Sequence, residues 1–408
     1  MKQERFNYYI SNLNVVNIII GYVFCVSLLV PVLGTQTGAS QLITIPYRGF
    51  SLFLSLLVII LNLKSRVKLT SPVLIFFLFW IVVLIRMFYD LEIRTDFYVL
   101  QSYKSKVWLI AIAGCFVPMI SLFKSIKIID FDYCFNLLYK GCIIILIPSI
   151  LFSLGELEGN TRDTGNIALD PISFGSIGIT LSLVCIYKII NTNSKKNKIK
   201  LLLNIILCFL GLYLALQSAS RGPVLGLLLI VVFLYVVYKR KGLFTFSFFI
   251  ITIFIFRNFL INSVSFLAPF LAKRLNELIS GDDVSILARQ ESYIWFIEQI
   301  SKYPFLGSQF ARLGNGHYPG YAHSIILDIL LGFGIVGLIT CIYIIYIAFK
   351  NLINSIRIKK HYWVGLIMMQ QVLLSLGSGA YYSNPVLNCL IILTLLLPLK
   401  DVRYKLKN

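Results

Sequence analysis

Long apolar runs separated by short polar segments recur along the whole chain. Twelve stand out, at about 15–33, 48–63, 72–89, 105–123, 135–154, 171–190, 201–217, 222–238, 243–262, 322–349, 363–379 and 385–399. Each is about long enough to cross the ~30 Å hydrocarbon core of a bilayer as a helix. The pattern predicts an all-α, polytopic membrane protein with about twelve transmembrane helices. Residues 1–408 form a single integral membrane domain, because the spacing leaves no room for a separate soluble one. The opening segment "MKQERFNYYISNLNVV" is basic, but no small-residue cleavage site follows the first apolar run, so that run is expected to remain as a span.

Only one interval between spans is long. It covers 263–321 and is patterned rather than featureless. Leu267, Leu271, Leu275 and Leu278 recur at helical spacing, and Gly281 stands where such a helix should stop. A second helical pattern runs through "SILARQESYIWFIEQISKYPFLG", with Leu287, Ile294, Ile297 and Ile300 on one stripe and Pro304 and Gly307 at its end. Two amphipathic helices lying on the membrane or capping a cavity satisfy both patterns. Arg289 projects away from the predicted stripe, so packing does not require it.

Composition agrees with a membrane protein, with 58% hydrophobic and only 13% charged residues. A net charge of +20 raises the question of an anionic partner such as nucleic acid. Its distribution answers that question. With the N-terminus in the cytoplasm and alternating spans, the cytoplasmic segments hold 23 of the 37 Lys and Arg but four of the 17 Asp and Glu. This is the positive-inside bias, so the charge is an insertion signal, both termini are cytoplasmic and no nucleic-acid role follows. The eight cysteines fall in or beside spans with no paired spacing, which suits apolar packing rather than disulfides or zinc.

Several residues on the outer side carry candidate chemistry. Arg221 lies in the tight turn "QSASRGPVLG", although outer turns avoid positive charge. Arg162 sits amid Glu158 and Asp163, where a local ion pair competes with ligand binding, and Arg48 follows "TIPY" as an interface anchor or ligand contact. His323 stands where the polar loop ends and a span begins, while His317 reads as a loop residue and His361 faces the cytoplasm beside Lys359 and Lys360. Guanidinium forks suit phosphate oxygens, and an imidazole suits a general base. Together they point to transfer from a phosphate-linked lipid donor to a hydroxyl. The first outer loop, "GTQTGASQLITIP", lacks the acidic pair that holds a divalent cation in metal-dependent membrane glycosyltransferases, and Asp282–Asp283 reads as a helix N-terminus. No metal and no cofactor are expected.

Over about 155–340 the chain resembles the O-antigen polymerase and O-antigen ligase superfamily of bacterial inner membranes. The resemblance runs in order through Arg162, Gly165, Asp170 and Pro171; Ser220, Arg221 and Gly222; Arg289, Trp295, Pro304 and Gly307; and His323, Leu327, Gly334 and Gly337. Ser324 replaces the family's asparagine after the histidine, and Asp170–Pro171 replaces its Asn-Pro. The resemblance implies a GT-C-like glycosyltransferase of the inner membrane, acting without metal on undecaprenyl-pyrophosphate-linked oligosaccharide at the periplasmic face. His323, Arg221 and Arg289 would be catalytic, and Arg162, Arg48 and Asp170 would bind substrate. Membrane lipids surround it, and a polysaccharide chain-length regulator is a candidate partner.

"TRDTGNIALDPISFG" is closer to polymerase-type sequences, which favours joining of lipid-linked repeat units. The alternative is a ligase that moves the chain onto lipid A core. A lipid-linked oligosaccharide flippase fits less well. No half-to-half repeat is visible, and the within-span charges Arg86, Lys140, Arg257 and Asp328 lie toward helix ends.

Overall fold

The computed structural model describes residues 2–33, 39–95, 99–155, 171–191, 197–218, 220–239, 284–313 and 322–405, with Lys273, Asn276 and Gly320. Nine stretches among these are helices long and apolar enough to cross a membrane, and two shorter apolar helices follow at the C-terminal side. Eleven of the twelve predicted spans are therefore helical. The twelfth, 243–262, lies outside the described residues, as do nearly all of the first predicted loop helix and the segment holding Arg162 and Asp170.

Helix α1 (Lys2–Val16) continues through a π-turn at Asn17–Gly21 into α2 (Tyr22–Leu33), and α3 (Ala39–Leu61) returns beside it. Next come α4 (Ser71–Phe88), which ends in a π-turn at Tyr89–Ile93, α5 (Gln101–Trp108), α6 (Val117–Ser125) and α7 (Phe131–Gly155). Then come α8 (Pro171–Asn191), α9 (Lys198–Gln217) and α10 (Arg221–Lys239). The long interval contributes α11 (Val284–Lys302), followed by α12 (Ile325–Arg357), α13 (Trp363–Gly377) and α14 (Pro385–Lys405).

Small residues let backbones approach where lipid cannot drive helices together. A Cβ on Gly211 would collide with Ser182, and one on Gly178 with the backbone of Ala215, so α8 and α9 lie almost in backbone contact. Polar pairs knit other helices. Asn14 donates to Ser121 at 2.8 Å, Ser55 donates to Asn14 at 3.2 Å and Asn17 donates to Ser51 at 3.1 Å. Trp80 donates to Asn388 at 3.2 Å, which ties α4 to α14. Lipid-facing rows stay apolar and exposed, as at Ile335, Val336, Ile339 and Ile342 on α12.

A straight helix of 33 residues would run about 50 Å at 1.5 Å per residue, well beyond the ~30 Å apolar core. α12 is not straight. Gly334 interrupts it with φ 58° and ψ −156°. The broken backbone is satisfied by the chain just after α11. The Ile335 N–H donates to the Pro304 carbonyl at 2.8 Å, while the Ser308 and Gln309 N–H groups donate to the Leu331 carbonyl at 2.7 and 3.2 Å. Irregular backbone at such depth persists only when protein supplies the missing partners. Residues 303–309 thus form a clasp on the top of α12.

Candidate functional site

The site lies at the end of the bundle that carries α11. His323 is the last but one residue before α12, in the left-handed conformation with φ 53°. Its neighbours fix it. Ala322 is fully buried against Phe296 and Leu331, with Trp295, Ile300 and Leu327 around them. The Ala322 N–H donates to Asp328 Oδ1 at 2.9 Å. Asp328, one turn inside α12 and itself buried, therefore ties the backbone that carries the imidazole back to its own helix. A left-handed non-glycine residue needs such support.

The face that α11 buries differs from the predicted stripe. Phe296 is the buried residue, with Trp295 and Ile300 beside it, whereas Ile294 and Ile297 are 51% and 55% exposed. Leu327 and Leu331 on α12 lie under the Phe296 side of the helix, and that contact decides which face turns inward. Position 289 is seven residues before Phe296, so two helical turns place it on the same side of α11 as the residue that touches Ala322. The side chain of Arg289 is outside the described residues.

Between the clasp and His323 the chain doubles back, and Arg312 and Gly320 form a two-bond antiparallel bridge at 2.9 and 2.8 Å. The Arg312 guanidinium stands 4.9 Å from the Trp295 ring centre, an exposed cation stacked over α11. Below the bridge, a buried carboxylate anchors the loop to α4. Asp90 Oδ2 accepts from Arg86 Nε at 2.8 Å and from the Phe310 N–H at 2.7 Å. Arg94 lies 3.4 Å from Asp90 Oδ1 and donates to the Ser308 carbonyl at 2.9 Å. Tyr381 packs on Phe333, and its hydroxyl reaches the Phe310 carbonyl at 3.5 Å. Burial pushes its phenol well above the ordinary range, so it remains a neutral donor.

Arg221 is the half-buried first residue of α10. Its turn is held by Ser218, which donates to the Ala215 carbonyl at 2.7 Å and accepts the Ser220 N–H at 3.3 Å. Gly175, in the first turns of α8, lies against Ser218 and Pro223, and Gly222 lies against Leu374 of α13. The structure therefore brings the "SRG" turn beside the start of α8, which Asp170 precedes, and packs α11 on Ala322, the residue before His323. Arg48 is apart from both, on α3 at an apolar cavity with Tyr22, Tyr47 and Pro385.

Among the described residues no three His, Cys, Asp or Glu side chains converge on a point that could hold a metal ion. Asp90, Arg94, Arg312 and Asp328 were not singled out as site residues by sequence. A signal for the first two existed, because Arg86, Asp90 and Arg94 repeat every four residues at the end of a span.

The described residues form a multi-pass helical membrane protein in which the segment after α11 is pinned to the histidine-bearing end of α12. Residues 206–342 match the family described as O-antigen ligase, which shows the resemblance to the O-antigen polymerase and ligase superfamily over that segment. The match takes in Arg221, Arg289, the clasp, His323 and Gly334. No curated protein and no solved structure matches the chain.

Proposed function

We propose that the chain is a GT-C-type O-antigen polymerase of the bacterial inner membrane, joining undecaprenyl-pyrophosphate-linked repeat units at the periplasmic face without a metal ion. The observation that carries the reading is the fixed backbone of His323 at a helix end, beside Ala322, which packs on the face of α11 that also bears position 289. His323 takes the proton of the acceptor hydroxyl as its oxygen bonds to the sugar carbon. The bond from that carbon to the pyrophosphate oxygen breaks, and undecaprenyl pyrophosphate leaves. Arg221 and Arg289 neutralise the departing charge through forked contacts. Arg162 and Asp170 lie on the segment leading into α8, and Arg48 and Arg312 are further cations available to the phosphates.

With both termini cytoplasmic, the basic segments face inward and the clasp, Arg221 and His323 face the periplasm. A chain-length regulator is a partner of this reading. The ligase alternative shares the same residues and differs in acceptor. Purified protein given a synthetic undecaprenyl-pyrophosphate repeat unit in EDTA should make a ladder of longer lipid-linked chains. A ligase leaves that substrate unextended until lipid A core is added. Product that vanishes in EDTA and returns with magnesium overturns the metal-free step.

A further inference from the structure

A second cavity, of about 260 Å³, lies between α1–α2, α8, α13 and the start of α14. Its position in the sequence of each helix puts it toward the end that carries Arg221 and His323. Leu374, which lines it, also lies against Gly222, the neighbour of Arg221. The lining carries no charge and most of its surface is apolar, but amides and hydroxyls from α8, α13 and the start of α14 interrupt it, and such groups are costly inside a membrane bundle unless they are used. Two of the lining hydroxyls, Ser176 and Thr180, are already engaged by Gln370, a strut behind the lining. It donates to the carbonyl and hydroxyl of Ser176 at 2.8 and 2.9 Å and accepts from Thr180 at 3.1 Å, tying α13 to α8. Gln371 is different. It lines the cavity, and its contact to the Ser176 hydroxyl is a long 3.5 Å, which leaves its amide available to a guest. Ser378 and Asn384 line the same space, and Asn384 is itself held by a 2.8 Å bond to Ser375.

The apolar cavity beside Arg48 shares Ile18, Tyr22 and Val386 with this one. One side of Tyr22 thus borders an apolar space with a guanidinium in its wall, and the other borders a neutral hydrogen-bonding space. Amides, hydroxyls and an aromatic ring are the groups that recognise sugar hydroxyls and the apolar faces of sugar rings. We propose that this mixed cavity binds a sugar ring of the lipid-linked glycan, its apolar wall against the ring face and Gln371, Ser378 and Asn384 at the hydroxyls, with the lipid chain running into the cavity beside Arg48. The assignment rests on the glycosyltransferase reading and gives the glycan a place that the catalytic residues do not.

The test uses the full chain in nanodiscs and two probes, undecaprenyl pyrophosphate and undecaprenyl-pyrophosphoryl-N-acetylglucosamine. The sugar-bearing probe should bind more tightly by about tenfold, the scale of one or two net hydrogen bonds. Gln371→Leu should abolish that preference while binding of the sugar-free probe is unchanged. Ser378→Phe, which fills the cavity from the C-terminal end of the same helix, should do the same and covers the case in which the first variant misfolds. A preference that survives both variants, or no preference in the native protein with the sugar-free probe still bound, overturns the sugar site and leaves the transferase reading standing. Failure of both probes to compete with nanodisc phospholipid sinks the two together.

Discussion

Gly307 and Gly334 are reciprocal: each occupies positive φ, and each lies where a Cβ would strike the backbone beside the other. A methyl on Gly307 meets Leu331–Phe333, and one on Gly334 meets Phe305 and Leu306. The two motif glycines are thus two halves of one contact. Gly307→Ala and Gly334→Ala should each lower the thermal midpoint in detergent sharply, since the strain of the backbone alone is of order 1–3 kcal/mol. Gly49→Ala, in a helix with open space around the new methyl, should leave the midpoint within a degree or two. Equal midpoints for all three variants would show that the clasp is soft.

Asp90 should behave as a buried charge with two cationic partners. Asp90→Ala strands Arg86 and the Phe310 N–H together, and breaking such a pair costs about 3–5 kcal/mol. Asp90→Asn keeps an acceptor for the amide and should be milder. Limited proteolysis between α11 and α12 reads the difference, with faster cleavage for Ala than for Asn. Cleavage equal to that of the native protein would mean that Asp90 does not hold the loop.

Arg221→Ala and Arg289→Ala should each lower turnover ~10²–10³-fold, the scale for losing one stabiliser of developing charge. Lysine at either position should rescue only in part, because a point charge cannot replace a fork. Full activity of both lysine variants in the ladder assay would make the fork geometry irrelevant.

His323→Ala should cost ~10²–10⁴-fold as a lost general base, with His317→Ala mild. Asp328→Ala removes the acceptor of the Ala322 N–H and should lower kcat with little change in KM, by letting the imidazole drift. A ladder made at the native rate by His323→Ala would leave the histidine a structural residue.

Labelling of introduced cysteines should put Ser194 and Lys359 in the cytoplasm and Asn160 and Asp283 in the periplasm. Tyr381 is buried and would report nothing in such an experiment. A periplasmic label at Lys359 would reverse the orientation and move His323 to the wrong compartment.

Hydropathy alone located eleven helices, because a span needs only length and an absence of charge. The loop was harder. Ile294 and Ile297 satisfied a periodic stripe, yet Phe296 is the residue that α12 covers, since periodicity finds an apolar face without saying which neighbour arrives. Proline and glycine after α11 were legible as a stop signal. That the same residues repair a break thirty residues later was not, because a backbone-to-backbone contact leaves no side-chain pattern. His323 was legible from its boundary position, whereas its support by Asp328 depends on a hydrogen bond to a main-chain amide, for which any acidic residue near a helix start would look alike.

The interruption at Gly334 also sets the unit by which this protein can be recombined. The loop is bonded to both sides of the break: Ser308 and Gln309 donate to Leu331 above it, and Ile335 and Val336 below it donate to Pro304 and Phe305. A chimera that imports only the loop of a relative would bring one half of an interlocking joint and discard the other. Residues 303–336 travel together or not at all, so the smallest graft that keeps the joint whole includes the top of a long apolar helix.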